Sequence, residues 1–283
     1  MSKYVRPPFN YTGGKFKLLE DLFRCFPKNI NTLYDVFGGG FSVGLNSEAL
    51  KVVYNEQLAP VAGCIKYMYN TPTQQFIDEV LAVCDRYNLK DGGEAAYLYM
   101  RSKYLVEYAD HAMFFALLSH SFNSLVRFNS EGGFNAHYGG SHNTLRASRI
   151  ETLRTFLDKL HSIKLQVLCG SFIDVPVADV ESNFVYCDPP YLITKCDYNS
   201  GWRLANEYAL YHWLDTLNNR GVKFGVSNVL RSSGRYNHIL AEWSRKYQVH
   251  KFNMKYTNSS PVRKNRHERD EEVFVCNYDT KIQ

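Results

Sequence analysis

LYDVFGGGFSVGLNSEALKVVYNE, Leu33 to Glu56, holds the fold in miniature. Leu33 to Val36 is a short apolar run that suits a pleated, enclosed surface. Gly38-Gly39-Gly40 interrupts it, helical spacing follows from Phe41 to Leu50, and Lys51 to Tyr54 is a second strand-like run ending in Asn55-Glu56. Strand, glycine turn, helix, strand is the unit of a parallel α/β sheet. A further helical pattern over Leu58 to Tyr69 continues the rhythm.

Upstream, Gly13 to Cys25 has helical periodicity, with Phe16, Leu19, Leu22, Phe23 and Phe26 on one side. Downstream, residues 72–145 break the alternation. Helical patterns dominate there (Gln74 to Tyr87, Glu94 to Val106, His111 to Phe122), and the glycine-rich stretch VRFNSEGGFNAHYGGSHN reads as a β-hairpin with loops. The α/β rhythm resumes with helix Leu145 to Leu160, strands Lys164 to Leu168 and Asn183 to Cys187, and helix Ala205 to Asn219. It ends with strand Val222 to Val226, helix Ser232 to Trp243, and strands Tyr247 to His250 and Glu272 to Tyr278. The predicted organisation is an α/β domain, residues 1–71 and 146–283, with helices on both faces of its sheet. It carries a smaller, mostly helical insertion at 72–145.

A chain of 283 residues, 45% hydrophobic, can bury a substantial core. No run of 18 apolar residues occurs, so no membrane span is expected. The first residues, MSKYVRPPFNYTGGK, lack the apolar centre of a signal peptide, which predicts a cytoplasmic protein. Seven cysteines without a C-x-x-C pair read as reduced thiols, mostly in the core, rather than disulfides or zinc ligands. A net charge of +5 permits a polyanionic partner without requiring one. The 21 tyrosines and 18 phenylalanines can stack on bases or simply fill the core.

Ligands of parallel α/β sheets bind beyond the carboxyl ends of the strands. Four features fall at such ends: DVFGGG (35–40), NE (55–56), GSF (170–172) and CDPPY (187–191). The glycines and the following helix start suit an anionic or nucleotide-type ligand, or equally a plain tight turn. Glu56 is placed to accept from two ribose hydroxyls, although a surface acid reads the same. FVYCDPPYLIT is the most specific stretch. Its strand must end at Asp188, because proline lacks an N–H and holds the residue before it extended. A carboxylate beside a rigid backbone carbonyl makes two acceptors for an amino group, and Tyr191 offers a face for a flat ring.

FNYTGGKFKLL, DVFGGGFSVGLN, SFNSLVRFN, DPPYLITKCDYN and NNRGVKFGVSNVL resemble, in that order and along nearly the whole chain, the Dam-type adenine-N6 DNA methyltransferases. These form the D12 class in its α arrangement, and the nearest likeness is the Dam enzyme of T-even bacteriophages. The resemblance implies a Rossmann-like fold that binds S-adenosylmethionine, without a metal, and transfers its methyl group to adenine N6 in double-stranded DNA after base flipping. Tyr11, Lys15, Phe37, Gly38, Gly39, Glu56, Phe172 and Asp188 match the cofactor positions, with Glu56 where the family usually has Asp. Asp188, Pro189, Pro190 and Tyr191 match the catalytic tetrapeptide.

Residues 72–145 match the target-recognition insertion. Its candidate DNA contacts are Phe122, Asn123, Ser124, Arg127, Asn129 and His137; Phe122 reads either as a wedge into the stack or as a core ring. Dam proteins that read GATC usually carry a basic residue after this hairpin, where AHYGGSHN has none. The expected target is therefore GATC or a related short site, with Arg146 or Arg149 as substitute readers. VRKNRHER, 262–269, reads either as a phosphate-tracking loop or as a solvated one. Other implied readings are an RNA adenine or cytosine-N4 methyltransferase, or an inactive DNA-binding decoy. A cognate restriction endonuclease is a candidate partner, and the expected state on DNA is a monomer or weak dimer.

Overall fold

The computed structural model describes residues 3–104, 110–140, 144–194, 201–252 and 270–280. Five parallel strands form its centre: β1 (Thr32–Asp35), β2 (Lys51–Glu56), β3 (Leu165–Cys169), β4 (Phe184–Cys187) and β5 (Lys223–Ser232). β6 (Arg235–Tyr236) folds back on β5. β8 (Glu271–Cys276) runs antiparallel between β5 and β7 (Gln248–Lys251). The sheet order is β3-β2-β1-β4-β5-β8-β7.

The helices are α1 (Leu19–Cys25), α2 (Ser42–Asn46), α3 (Ala59–Asn70), α4 (Thr73–Arg86), α5 (Gly93–Lys103), α6 (His111–His120), α7 (Ala147–His161), α8 (Leu204–Asn219) and α9 (His238–Trp243). They cover both faces of the sheet. Side chains alternate along a strand, so Phe184 and Tyr186 of β4 pack with α1 while Val185 and Cys187 pack with α8 and α9. Every residue of β1 and β4 is buried, as doubly covered strands require.

The chain moves outward from β1 through β2 to β3, then returns to place β4 on the other side of β1. That reversal is the topological switch point, where the crevice of an open α/β sheet opens. Asp35 ends β1 and Cys187 ends β4, so DVFGGG and CDPPY emerge side by side.

Helices α4 and α6 share one apolar cluster with α3 and α7. Asp110 caps α6 by accepting from the Met113 N–H at 2.8 Å. Tyr97 and Arg101 of α5 both donate to the Ala136 carbonyl, at 2.9 and 2.8 Å. The expected hairpin is reduced to isolated bridges: Phe128 with Phe134, Ser121 with Tyr138, and Asn10 with Leu125.

Several expected boundaries move. The helix expected from Ser232 begins at His238, because β5 runs on to Ser232 and turns through Ser233 and Gly234, both with positive φ (49° and 76°). Two consecutive positive φ values make the tight turn that matches strand twist. The Gly13 to Cys25 helix divides into a 3-10 turn over Lys15–Leu18 and then α1. The helix expected over Phe41 to Leu50 is only α2, since Phe41 sits in the left-handed region at φ 64°. Among the described cysteines none forms a disulfide; four are buried, in keeping with the mostly core placement expected, while Cys84 is half-buried and Cys169 exposed. VRKNRHER lies outside the described residues.

Candidate active site

The turn after β1 is held by groups that ordinary side chains could not replace. A Cβ on Gly38 would lie 2.2 Å from the Tyr54 ring, and one on Gly39, at φ 47°, would lie 3.0 Å from the Tyr11 ring. Tyr54 in turn donates its hydroxyl to the Gly39 carbonyl at 2.8 Å. Phe41 completes the turn in a conformation that a bulky residue adopts only when its surroundings impose it. Its buried ring meets Tyr54 edge-on, centroids 4.8 Å apart. The Asn55 amide cross-ties the strand ends, donating to Val36 and Gly170 carbonyls at 3.0 Å each.

Glu56 is buried at the end of β2. It accepts from the Gly39 N–H at 3.0 Å through one oxygen and from the Leu58 N–H at 2.8 Å through the other. Burial pushes its carboxyl up and these N–H groups oppose the shift. The Tyr11 side chain and the Gln57 N–H also hydrogen-bond to it and oppose the shift. Opposite it, Phe37, Phe172 and Trp202 form an aromatic recess, with Phe37 5.6 Å from Phe172 and 5.7 Å from Trp202 between centroids. The Trp202 indole donates to Glu207 at 2.7 Å. Glu207 is fully buried and also accepts from Tyr211, Asn228 and Asn237.

At the end of β4 a compact ionic group forms. Lys15 Nζ lies 2.8 Å from Asp188 Oδ1 and 3.5 Å from Glu272 Oε1, and donates to the Gly13 carbonyl at 2.8 Å. The Tyr191 hydroxyl lies 3.0 Å from both Asp188 Oδ1 and Glu272 Oε1. Lys15 Nζ also stands 5.0 Å from the centroid of the Tyr191 ring. Burial raises the Asp188 carboxyl, and Lys15 counters it most strongly. Burial and the two carboxylates push the Tyr191 hydroxyl well above its ordinary range, so it stays neutral. Nearby Asp35 accepts from the Gly44 N–H at 2.9 Å, and burial pushes its carboxyl up to about 7.

The turn glycines, Glu56, the aromatic recess and the ionic group line one cavity of about 1540 Å³. It contains Tyr11, Lys15, Phe37, Gly38, Gly39, Glu56, Phe172 and Asp188 to Tyr191, the expected cofactor and catalytic positions, brought together from five separate stretches. A glycine turn, a carboxylate ending the next strand and an aromatic recess fit an adenosine. Asp35, Trp202, Glu207 and Glu272 were missed. Trp202 follows a glycine in a polar stretch, and Glu272 looked like an ordinary strand start.

The expected DNA contacts divide. Arg127 and Asn129 line the same cavity. Phe122 is 58% exposed, so it is no core ring, and Asn123 is exposed at φ 56°. Ser124 is buried and accepts from Arg149, which also donates to the Ser119 carbonyl at 2.8 Å. Asn129 Oδ1 accepts from the Glu131 and Gly133 N–H groups, and His137 is exposed. Among the described residues no three His, Cys, Asp or Glu side chains cluster as metal ligands.

A doubly wound sheet, with a glycine turn, an aromatic recess and D-P-P-Y at its switch point, defines an α/β fold with a ligand crevice at that edge. The chain belongs to the D12 class N6 adenine-specific DNA methyltransferase family, whose pattern matches residues 11–258. It is 33% identical over 288 residues to the modification methylase StsI of Streptococcus sanguinis, across 99% of this chain and 44% of that protein. It is 33% identical over 284 residues to the type II methyltransferase M.FokI of Planomicrobium okeanokoites, across 98% and 43%. Identity to the DNA adenine methylase of Vibrio cholerae is 28% over 242 residues, across 80% and 82%. The chain thus spans under half the length of the first two relatives. The family expectation holds, with modification methylases, rather than T-even phage Dam in particular, as the stronger of these likenesses.

Proposed function

We propose that this chain transfers a methyl group from S-adenosylmethionine to N6 of adenine in duplex DNA. The observation that carries the reading is the Asp188-Pro189-Pro190-Tyr191 corner facing the glycine turn of β1 across the switch point. Bound there, S-adenosylmethionine supplies an electrophilic methyl group. Phe37, Phe172 and Trp202 receive its adenine, and Glu56 accepts from its ribose hydroxyls.

The adenine N6 lone pair is delocalised into the ring and is a poor nucleophile. Asp188 and the Pro189 carbonyl accept hydrogen bonds from its two N–H groups, which favours localising that pair on nitrogen. The acceptors are fixed where positive charge develops, so positioning and preorganised electrostatics supply most of the rate. The target atom cannot reach this recess inside a duplex. The base therefore flips out, and Tyr191 replaces part of the lost stacking. One side of the Tyr191 ring carries Lys15, leaving the other to the base.

Residues 72–145 form the target-recognition part in this reading. Exposed Phe122 fills the gap left by the base, Arg127 and Asn129 lie at the cavity wall, and Asn123, Ser124 and His137 shape the approach. Arg149 is tied to Ser119 and Ser124 at the start of α7, and it and Arg146 are the candidate readers of guanine. The proposed target is GATC or a related short site, and the modification-methylase relatives make a cognate restriction endonuclease a natural partner. The motif order keeps T-even Dam within the reading as a kin enzyme.

Methylation-sensitive sequencing of DNA from a Dam-negative host tests all of this. Expressing the chain should yield N6-methyladenine at one short motif, and Asp188→Ala should abolish it. No methylated base from soluble protein would refute the reading.

A further inference from the structure

The ionic group at the end of β4 contains one carboxylate more than binding an amino group needs. Lys15 contributes one positive charge; Asp188 and Glu272 contribute two negative ones; Tyr191 is neutral. With both acids ionised the group carries a net charge of −1. Glu272 reaches it from the antiparallel strand β8, where the register slips between Val229 and Arg231 of β5, opposite Glu272 and Glu271. Such a bulge re-aims a side chain. Glu272 is 4% exposed, and it faces the cavity beside Asp188.

A hydroxyl has a single proton, yet the Tyr191 oxygen stands 3.0 Å from each of two carboxylates. The arrangement is complete only when it can donate to one acid and accept from the other. It is therefore built to hold one proton more than two ionised carboxylates carry.

We propose that Glu272, acting through Tyr191 and Asp188, is the positioning residue that lets this group take up the proton released from the methylated amino group. The inference rests on the methyltransferase reading above. In the step, the sulfur–methyl bond breaks with its electron pair left on sulfur, and the N6 lone pair forms the new carbon–nitrogen bond. The positive charge moves to N6, which gives one proton to Asp188. That protonated acid donates to Tyr191 oxygen as the Tyr191 proton passes to Glu272. Charges balance before and after: a sulfonium beside a −1 group becomes a neutral thioether beside a neutral group. With Asp188 and Lys15 alone, the same proton would leave a buried net positive charge, which is costly in an enclosed site.

Among the described residues, the other titratable groups facing this one include Asp35 from the end of β1 and Tyr186 and Cys187 from β4, with Asp270 on the approach to β8 lining the same cavity. Asp35 and Tyr186 are both held toward their neutral forms by burial. They add no competing charge while Asp35 stays protonated.

Glu272→Gln tests the proposal, since it keeps the shape and an acceptor oxygen but removes the charge. The readouts are single-turnover methyl transfer to duplex DNA against pH, and calorimetric binding of S-adenosylmethionine. The expected result is a single-turnover rate at least tenfold lower, cofactor affinity within about threefold, and an acid limb displaced to lower pH, because the Glu272 charge no longer raises Asp188. Glu272→Asp should recover part of the rate. A wild-type rate and pH profile in Glu272→Gln would overturn the proposal. So would a defect confined to cofactor affinity, which marks a merely structural acid. If the unaltered protein itself transfers no methyl group, it is the functional reading that fails.

Discussion

At the carboxyl edge of the sheet, Gly38, Gly39 and Asp188 follow directly on strands paired on both sides, and their polar neighbours are cross-tied. In the 121–140 segment, Phe122, Asn123 and Arg127 hang from isolated bridges, with Asn123 and Ser124 both at positive φ. The first region is rigid because each group is fixed by two or more others: Gly39 by Tyr54 and Glu56, Asp188 by Lys15 and Tyr191. The second presents exposed side chains, Phe122 and Asn123 among them, from a backbone of short turns and single bridges. On the proposed function, the former would hold the reacting nitrogen and the latter would settle against the duplex.

Substitutions should separate the two. The largest effect is expected at Gly38→Ala. The new Cβ collides with the buried Tyr54 ring, whose hydroxyl cannot move without leaving Gly39. Strain of about 1–3 kcal/mol transmitted to the turn should lower S-adenosylmethionine affinity roughly tenfold to a hundredfold. Calorimetry reads this directly, and unchanged affinity would show that the edge yields more easily than its contacts imply.

Asp35 gives an intermediate, pH-dependent effect. Burial raises its carboxyl from 3.8 to about 7. The folded protein keeps this proton where the unfolded chain has lost it. The contribution to stability is therefore complete below about pH 4 and is lost as pH rises through about 7. Asp35→Asn removes that dependence. The variant should gain on its parent by about 2–3 kcal/mol between pH 5 and pH 8.5. Thermal melts at the two pH values check the sign; a gain at pH 5 alone would contradict it.

The smallest effect on the fold is expected at Phe122→Ala. With the ring 58% exposed, stability should change by less than about 0.5 kcal/mol, while KM for duplex DNA rises several-fold. A melting loss as large as that of Gly38→Ala would erase the contrast between the two regions.

The same contrast governs what could be read from the chain. β1, β2 and β4 were legible because strands buried on both faces write continuous apolar runs, and D-P-P fixes where β4 ends. The glycine turn was legible as a turn, but Phe41 in the left-handed region was not, since nothing local marks a phenylalanine for it. Strand β5 was cut short at Val226, as Ser227 and Asn228 look polar. Both are fully buried, with Ser227 paired to Tyr186 and Asn228 to Glu207. Glu272 and Trp202 reach the site only through pairings far away in sequence, which no spacing encodes.

The position of β8 has a consequence for biosynthesis. It slots between β5 and β7, which precede it in the chain, and Tyr278 just beyond it donates to the Cys25 carbonyl near the opposite end at 2.8 Å. Until residues 271–278 leave the ribosome, β5 has an open edge and Lys15 faces Asp188 without Glu272. The glycine turn and the D-P-P-Y corner can thus be synthesised long before the ionic group between them is whole. On this geometry the ionic group is completed only with β8, in the same folding event that joins β5 to β7.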